Sequence, residues 1–164
     1  MTVLEILLIL ATLLCAITAG FVFAYATVIM PGIALLDDKA FIRAFQVTDG
    51  IIQEGQPLFG LVWIGSAVAL LAVAGMAVVQ LDGIERSLIV AATLCYMFGV
   101  QLTTFAINVP LNNQLQSLDV SAIDDAQAAA ARGEFESRWV RWNTIRTFNA
   151  SLVSAALMLV LLRL

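Results

Sequence analysis

Apolar residues run along this chain in four long stretches, separated by one very short and two long polar connections. No charged residue occurs from Ile6 to Leu36, from Gly55 to Leu81, from Ser87 to Leu118 or from Thr147 to Leu162. About 20 apolar residues cross the hydrocarbon core of a bilayer. The pattern therefore predicts four transmembrane helices, over about 3–29, 58–80, 84–108 and 139–162. Met30-Pro31-Gly32 is expected to stop the first helix, and Pro110 to end the third or kink its last turn. Between spans one and two, residues 38–54 alternate as an amphipathic helix. Phe41, Phe45, Thr48 and Ile52 form one stripe, and Gln46, Asp49 and Gln53 form a neighbouring polar one. This helix is expected at the membrane surface or folded over the bundle mouth. Residues 114–137 are polar, with an alanine-rich helical stretch from Ala126 to Ala131 expected in solvent. The predicted class is all-α: one domain, residues 1–164, folded as an integral membrane up-down-up-down four-helix bundle with an additional amphipathic helix.

Composition fits that reading, because 62% hydrophobic residues in a chain of 164 exceed what a soluble globule of this size buries. The net charge of −4 resides in the connections and argues against nucleic acid as a partner, leaving membrane lipids as the expected surroundings. Cys15 and Cys95 both fall inside apolar runs, where a thiol packs as a small hydrophobe; a bridge between them requires that spans one and three touch there. Ala16, Gly20 and Ala24 recur every four residues, a stripe that suits close packing of another helix. The chain has no histidine, which removes imidazole as a metal ligand, haem ligand or general base. A carboxylate-only metal cluster remains conceivable, but no helix carries the Glu-x-x-His pattern of bundle metal sites, and neither a metal site nor a cofactor is expected.

Four spans place both long connections on one side of the membrane. Lys39, Arg43, Arg132, Arg138 and Arg141 lie on that side, against Arg86 and Arg163 on the other, so the positive-inside rule favours cytoplasmic loops and external termini, in a bacterial plasma membrane.

Two polar clusters lie against the ends of apolar runs at that side: Asn108-Val109-Pro110-Leu111-Asn112-Asn113, and Trp139 to Thr147. Amides, indoles and a guanidinium are costly in lipid and are expected to face one another inside a bundle. Arg146 stands about 25 Å along a helix from Arg163, less than the core thickness of roughly 30 Å, so it belongs below the membrane surface, facing a cavity or snorkelling. Trp139, Trp142, Asn143, Arg146 and Thr147 share one broad helical face; the tryptophans also fit an interfacial aromatic belt. Asn108 and Asn112 suit either capping of the frayed helix end or binding of a ligand carbonyl. Asp49 is the nearest acidic group that Arg146 can meet, as counter-ion or as general base.

With these motifs the chain resembles the DUF1772 family of small four-helix membrane proteins, also called the anthrone oxygenase family. The resemblance rests on Ala19-Gly20-Phe21-Val22-Phe23-Ala24, Met30-Pro31, Gln46 followed three residues later by Asp49, Pro57-Leu58-Phe59, and the two polar clusters. It covers nearly the whole chain in order. Asp49 departs from the asparagine that the family favours at that position. The resemblance implies an activity that some members have, oxygenation of anthrones of the aromatic polyketide type to anthraquinones, while most bacterial members have no assigned activity. In that setting Arg146, Asn143 and Asn112 would stabilise an oxyanion, Trp139 and Trp142 would sandwich the ring system, and Asp49 would accept the proton. Asn108 and Gln46 complete the binding set. The competing class is non-catalytic: an accessory subunit of a larger membrane complex, or a scaffold that binds lipid or quinone-like molecules.

Overall fold

The computed structural model describes residues 1–164 and is entirely helical, with four helices long and apolar enough to cross a membrane. We number the five helices α1 (Val3–Ile33), α2 (Asp38–Gln53), α3 (Pro57–Gln80), α4 (Gly83–Gln116) and α5 (Asp125–Leu161). Their starts follow local capping chemistry. Thr2 and Glu5 form a reciprocal capping box on α1, as do Asp124 and Gln127 on α5, while Asp37 caps α2 and Gln56 caps α3.

Helix α1 packs against α3 and α5, and α4 packs against the same two, so that apolar side chains meet at the centre. Leu8, Leu70, Val73, Ile89, Tyr96 and Leu157 are among the fully buried members of that core. The buried line of α1 is Leu4, Leu8, Ala11, Cys15, Ala19 and Val22. The Ala16, Gly20, Ala24 stripe lies beside it: Gly20 is exposed, and a Cβ added there would meet nothing within 4 Å. That stripe is therefore not the seam between helices. Both cysteines are free thiols; Cys15 is buried in the core, and Cys95 donates to Asn149 Oδ1 at 3.1 Å.

Neither internal proline ends its helix. α1 continues through Pro31 to Ile33, and α4 continues through Pro110 to Gln116. The reason is the same in both. A proline supplies no N–H to the carbonyl four residues back and crowds it sterically. In each case the preceding five residues, Tyr25–Ile29 and Thr104–Asn108, wind as a π-helical turn. The residue just before each proline then bonds five residues back, Met30 N–H to the Tyr25 carbonyl and Val109 N–H to the Thr104 carbonyl. The helix accommodates the proline by widening next to it, and in α4 a further π-helical stretch, Met97–Leu102, lies upstream with no proline beside it.

The last helix is also longer than its apolar run. It begins at Asp125, and the alanine-rich segment is helical and largely exposed as expected, while Ala128 and, further along, Phe135 are buried on its inner face. What it packs against is α2. Phe41, Ile42 and Phe45 of α2 are buried, with Phe45 edge-on to Phe135 (4.6 Å between centroids) and to Trp139 (5.5 Å). Thr48 is exposed, and Asp49 is buried in its place; the polar stripe of α2 faces the tail of α4. Arg132 holds this end together. Its Nη1 donates to the Leu36 carbonyl and Asp38, Nη2 to the Ala34 carbonyl, and Nε to Glu136, while the guanidinium lies 4.5 Å from the centre of the Phe41 ring. One side chain thereby ties the end of α1 and the start of α2 to α5.

Candidate functional site

Where α2 crosses the tail of α4, the polar stripe meets amides at helical spacing. Asn112 and Gln116, four residues apart, reach Asp49 across the gap. Asn112 Nδ2 donates to Asp49 Oδ1 at 2.7 Å, and Gln116 Nε2 donates to Oδ2 at 3.1 Å. Gln53, one turn further along α2, donates to the same Oδ2 at 2.7 Å. A carboxylate that is 3% exposed is thus satisfied by three neutral amides and no cation. This registry depends on the helix passing through Pro110; had α4 stopped there, Asn112 and Gln116 would not project from a common face.

Gln46, assigned above to ligand binding, has a different position. Its Nε2 donates to the Leu115 and Leu118 carbonyls, and its own carbonyl accepts from Gln116 Nε2. It caps the end of α4 and does not line the cavity described below.

On α5, Trp139, Asn143, Arg146 and Ala150 recur at four, three and four residues and are all buried. Asn143 Nδ2 donates to the Val22 carbonyl of α1, and its Oδ1 accepts from Arg146 Nη2 at 2.8 Å. Arg146 is 5% exposed, so it turns into the protein and does not snorkel. Its Nη1 donates to Thr104 Oγ1 at 3.0 Å, and the guanidinium lies 5.6 Å from the centre of the Trp139 ring. No carboxylate comes within ion-pair distance of it, and in particular Asp49 does not. The expected Asp49–Arg146 pair is replaced by an intervening chain: Trp139 Nε1 donates to Asn112 Oδ1 at 2.7 Å, and Asn112 donates on to Asp49.

These groups surround a cavity of about 190 Å³. Asp49, Asn108, Asn112, Asn143, Arg146 and Thr104 supply its polar lining. The apolar lining is aromatic for the most part, with Phe21 and Tyr25 from α1, Phe45 from α2, Phe59 and Trp63 from α3, and Trp139 from α5. Trp142 is absent from it. Being three residues beyond Trp139 and one before Asn143, it sits at the flank of the inward face and is only half-buried. A sandwich by Trp139 and Trp142 is therefore not formed; the rings around Trp139 are Phe135, stacked at 6.2 Å, Tyr25 at 5.6 Å and Phe45 at 5.5 Å.

Two buried polar atoms in the lining have no partner in the protein, Arg146 Nε and Asn108 Oδ1. Asn108 uses its other amide atom to donate to the Trp139 carbonyl at 3.4 Å. A buried polar group left unpaired costs about 1–3 kcal/mol, and the protein leaves these two unsatisfied on residues that line the cavity.

Thr104, Tyr25 and the aromatic lining from α1 and α3 escaped sequence reasoning, although the pairs Phe21/Tyr25, Phe59/Trp63 and Thr104/Asn108 all stand four apart. Within an apolar run such aromatic pairs are indistinguishable from ordinary core.

No curated protein and no solved structure matches the chain. A family model does: the one described as Anthrone oxygenase matches residues 50–157, roughly two thirds of the chain. That span contains Asn108, Asn112, Trp139, Asn143 and Arg146, and with it the chain belongs to the anthrone oxygenase family.

Proposed function

We propose that the cavity binds a flat, apolar, carbonyl-bearing molecule of the anthrone or quinone type and oxygenates it without a metal. The observation that carries this reading is the state of Arg146: a buried guanidinium that lines the cavity and whose hydrogen-bond partners, Thr104 and Asn143, are both neutral. A cation with no counter-ion favours a ligand that carries or develops negative charge on oxygen. The amides and the guanidinium of the lining favour a ligand that carries oxygen on an apolar frame. The aromatic lining suits flat rings.

The chemistry then divides between the two ends of the cavity. Asp49 has three of its roughly four lone-pair positions occupied, leaving one on Oδ1 to take a proton from the acidic CH2 of an anthrone. The resulting anion carries its charge on the carbonyl oxygen, where Arg146 stabilises it. It gives one electron to O2, and recombination forms the new C–O bond; return of the proton gives a hydroperoxide. Loss of water leaves the second carbonyl, so that anthrone and O2 become anthraquinone and water. Asn143 and Thr104 position the guanidinium.

In this reading the four long helices stand up-down-up-down across a bacterial plasma membrane, with α2 and the cavity at the cytoplasmic end. A purely scaffolding role accounts for Gln46 and Gln116, which tie α2 to α4, but leaves Arg146 Nε and Asn108 Oδ1 without a purpose. The test is turnover of anthrone under O2 by protein purified in detergent, following anthraquinone formation and oxygen uptake. Formation above the empty-detergent rate, lost in Arg146→Met protein that remains folded, supports the reading. A rate equal to that of empty detergent overturns the catalytic part, and absence of anthrone binding overturns the whole.

A further inference from the structure

Phe21, Phe59 and Trp63 have a hollow on each side. Inward they line the cavity that contains Arg146 and Asn108. Outward the same three residues line a groove of about 360 Å³ between α1 and α3, completed by Ile17, Leu58 and Val62. The groove lies on the outer face of the molecule, where Ile17 and Leu58 are 47% and 64% exposed. What separates the two hollows is a single layer of rings. Phe59 and Trp63 stack at 5.4 Å, and Phe21 stands edge-on to Phe59 at 5.1 Å and to Trp63 at 6.4 Å.

This layer differs from the other aromatic contacts of the cavity. Trp139 is pinned by its bond to Asn112, whereas Trp63 enters hydrogen bonds through its backbone carbonyl alone. Phe21 and Phe59 are half-buried and carry no polar atom on their side chains. Rotation of these rings about their side-chain torsions costs packing but breaks no hydrogen bond. The groove is lined mainly by apolar side chains, with the exposed Gln56 at its end; Thr18 also borders it, but at 1% exposed its hydroxyl is closed off from the groove.

We propose that this groove is the membrane-side entrance for the ligand, and that Phe21, Phe59 and Trp63 are the gate between it and the cavity, an inference that rests on the cavity being a ligand site as proposed above. The ligand class is the same flat, apolar, oxygen-bearing molecule. Such a molecule partitions into the bilayer, so a route from lipid spares it a passage through water. The competing route is on the other side of the cavity, where Phe105 of α4 lines it and is 61% exposed.

The test uses the full chain in lipid nanodiscs with anthrone as the probe, read by stopped-flow quenching of tryptophan fluorescence. Val62→Phe and Ile17→Phe each narrow the groove from a different helix, and neither residue lines the cavity. Both variants are expected to slow association and dissociation by about tenfold and to leave Kd unchanged, the signature of a barrier on the path and not of a lost contact. Phe59→Ala is expected to accelerate both rates. Wild-type rates in both groove variants, with faster exchange in Phe105→Ala, would place the route between α3 and α4; the gate would be wrong and the cavity site would stand. A weaker Kd with unchanged association would show that the groove shapes the site and is not its entrance. Failure of the wild-type protein to bind anthrone at all would overturn the gate together with the reading on which it rests.

Discussion

Trp139 and Asn112 are joined by a 2.7 Å hydrogen bond from the indole Nε1 to the amide Oδ1, and this bond couples the two charged ends of the cavity. On one side Asn112 donates to Asp49; on the other the Trp139 ring lies beside the Arg146 guanidinium. The indole fixes which way the amide faces, and the amide fixes a carboxylate oxygen. Fold and site are thus the same set of contacts.

Trp139→Phe keeps most of the ring packing and removes the donor. It leaves Asn112 Oδ1 without its partner and is expected to destabilise the protein by about 1–3 kcal/mol. Trp142→Phe, at a half-buried position outside the cavity, is expected to stay within about 0.5 kcal/mol of wild type and to bind anthrone normally. Thermal unfolding and anthrone titration of the pair decide whether the tryptophans are equivalent. Equal losses would contradict the division of roles.

Arg146→Lys retains charge but cannot reach both Thr104 and Asn143 in the fork geometry of a guanidinium. If the cation stabilises an oxyanion, turnover of anthrone is expected to fall by about 10²–10³ in Arg146→Met, the range for loss of an oxyanion-stabilising donor. Arg146→Lys is expected to fall between Arg146→Met and wild type. Thr104→Val, which removes one neutral positioning contact, is expected to cost less than either. The order of the three rates, measured on protein that retains its helical circular dichroism, is the readout. A lysine variant as slow as the methionine variant would show that geometry outweighs charge.

Asp49→Asn preserves the shape of the residue that the amides hold. As general base Asp49 is expected to supply about 10²–10⁴ in kcat, with anthrone affinity little changed. The asparagine variant is then slow but binds. Full activity in Asp49→Asn would reduce Asp49 to a structural acceptor for Asn112, Gln53 and Gln116 and would require another base.

How much of this was legible along the chain depended on which physical signal was involved. The four apolar helices and the amphipathic α2 follow from hydrophobic runs and periodicity, and the inward turn of Asn143 and Arg146 follows from the cost of placing such groups in lipid. The extents of α1 and α4 did not follow, because the rule that proline stops a helix presumes α-helical registry, and a π-helical turn escapes it. The start of α5 was obscured by dilution. Ala128, Phe135 and Trp139 keep helical spacing, but alanine contrasts weakly with its polar neighbours. Spacing alone puts Trp142 on one broad helical face with Trp139 and Arg146, and only the direction in which α5 meets its neighbours separates the two indoles. Opposite charge suggests an Asp49–Arg146 pair, but neutral side chains lie nearer to each group.

Pro110 offers the sharpest test of how the helix geometry serves the site. Within α4 it lies between Asn108 and Asn112, both in the cavity lining, and its missing N–H coincides with the π-helical turn over Thr104–Asn108. Pro110→Ala restores a donor for the carbonyl four residues back and removes a helix-breaking residue, which by propensity alone favours the helix by about 3 kcal/mol. Relaxation of the π turn to α-helical registry removes the extra residue from that turn, and one residue corresponds to a rotation of about 100°. Thr104 and Asn108 cannot then both keep their partners, Arg146 and the Trp139 carbonyl, while Asn112 and Gln116 keep Asp49. Pro110→Ala is accordingly expected to unfold at a temperature no lower than wild type, yet to bind anthrone about tenfold more weakly, a loss of about 1.4 kcal/mol. Thermal unfolding beside anthrone titration separates the two effects. A variant that is no less stable and binds as wild type would show that the widened turn accommodates the proline without positioning the site.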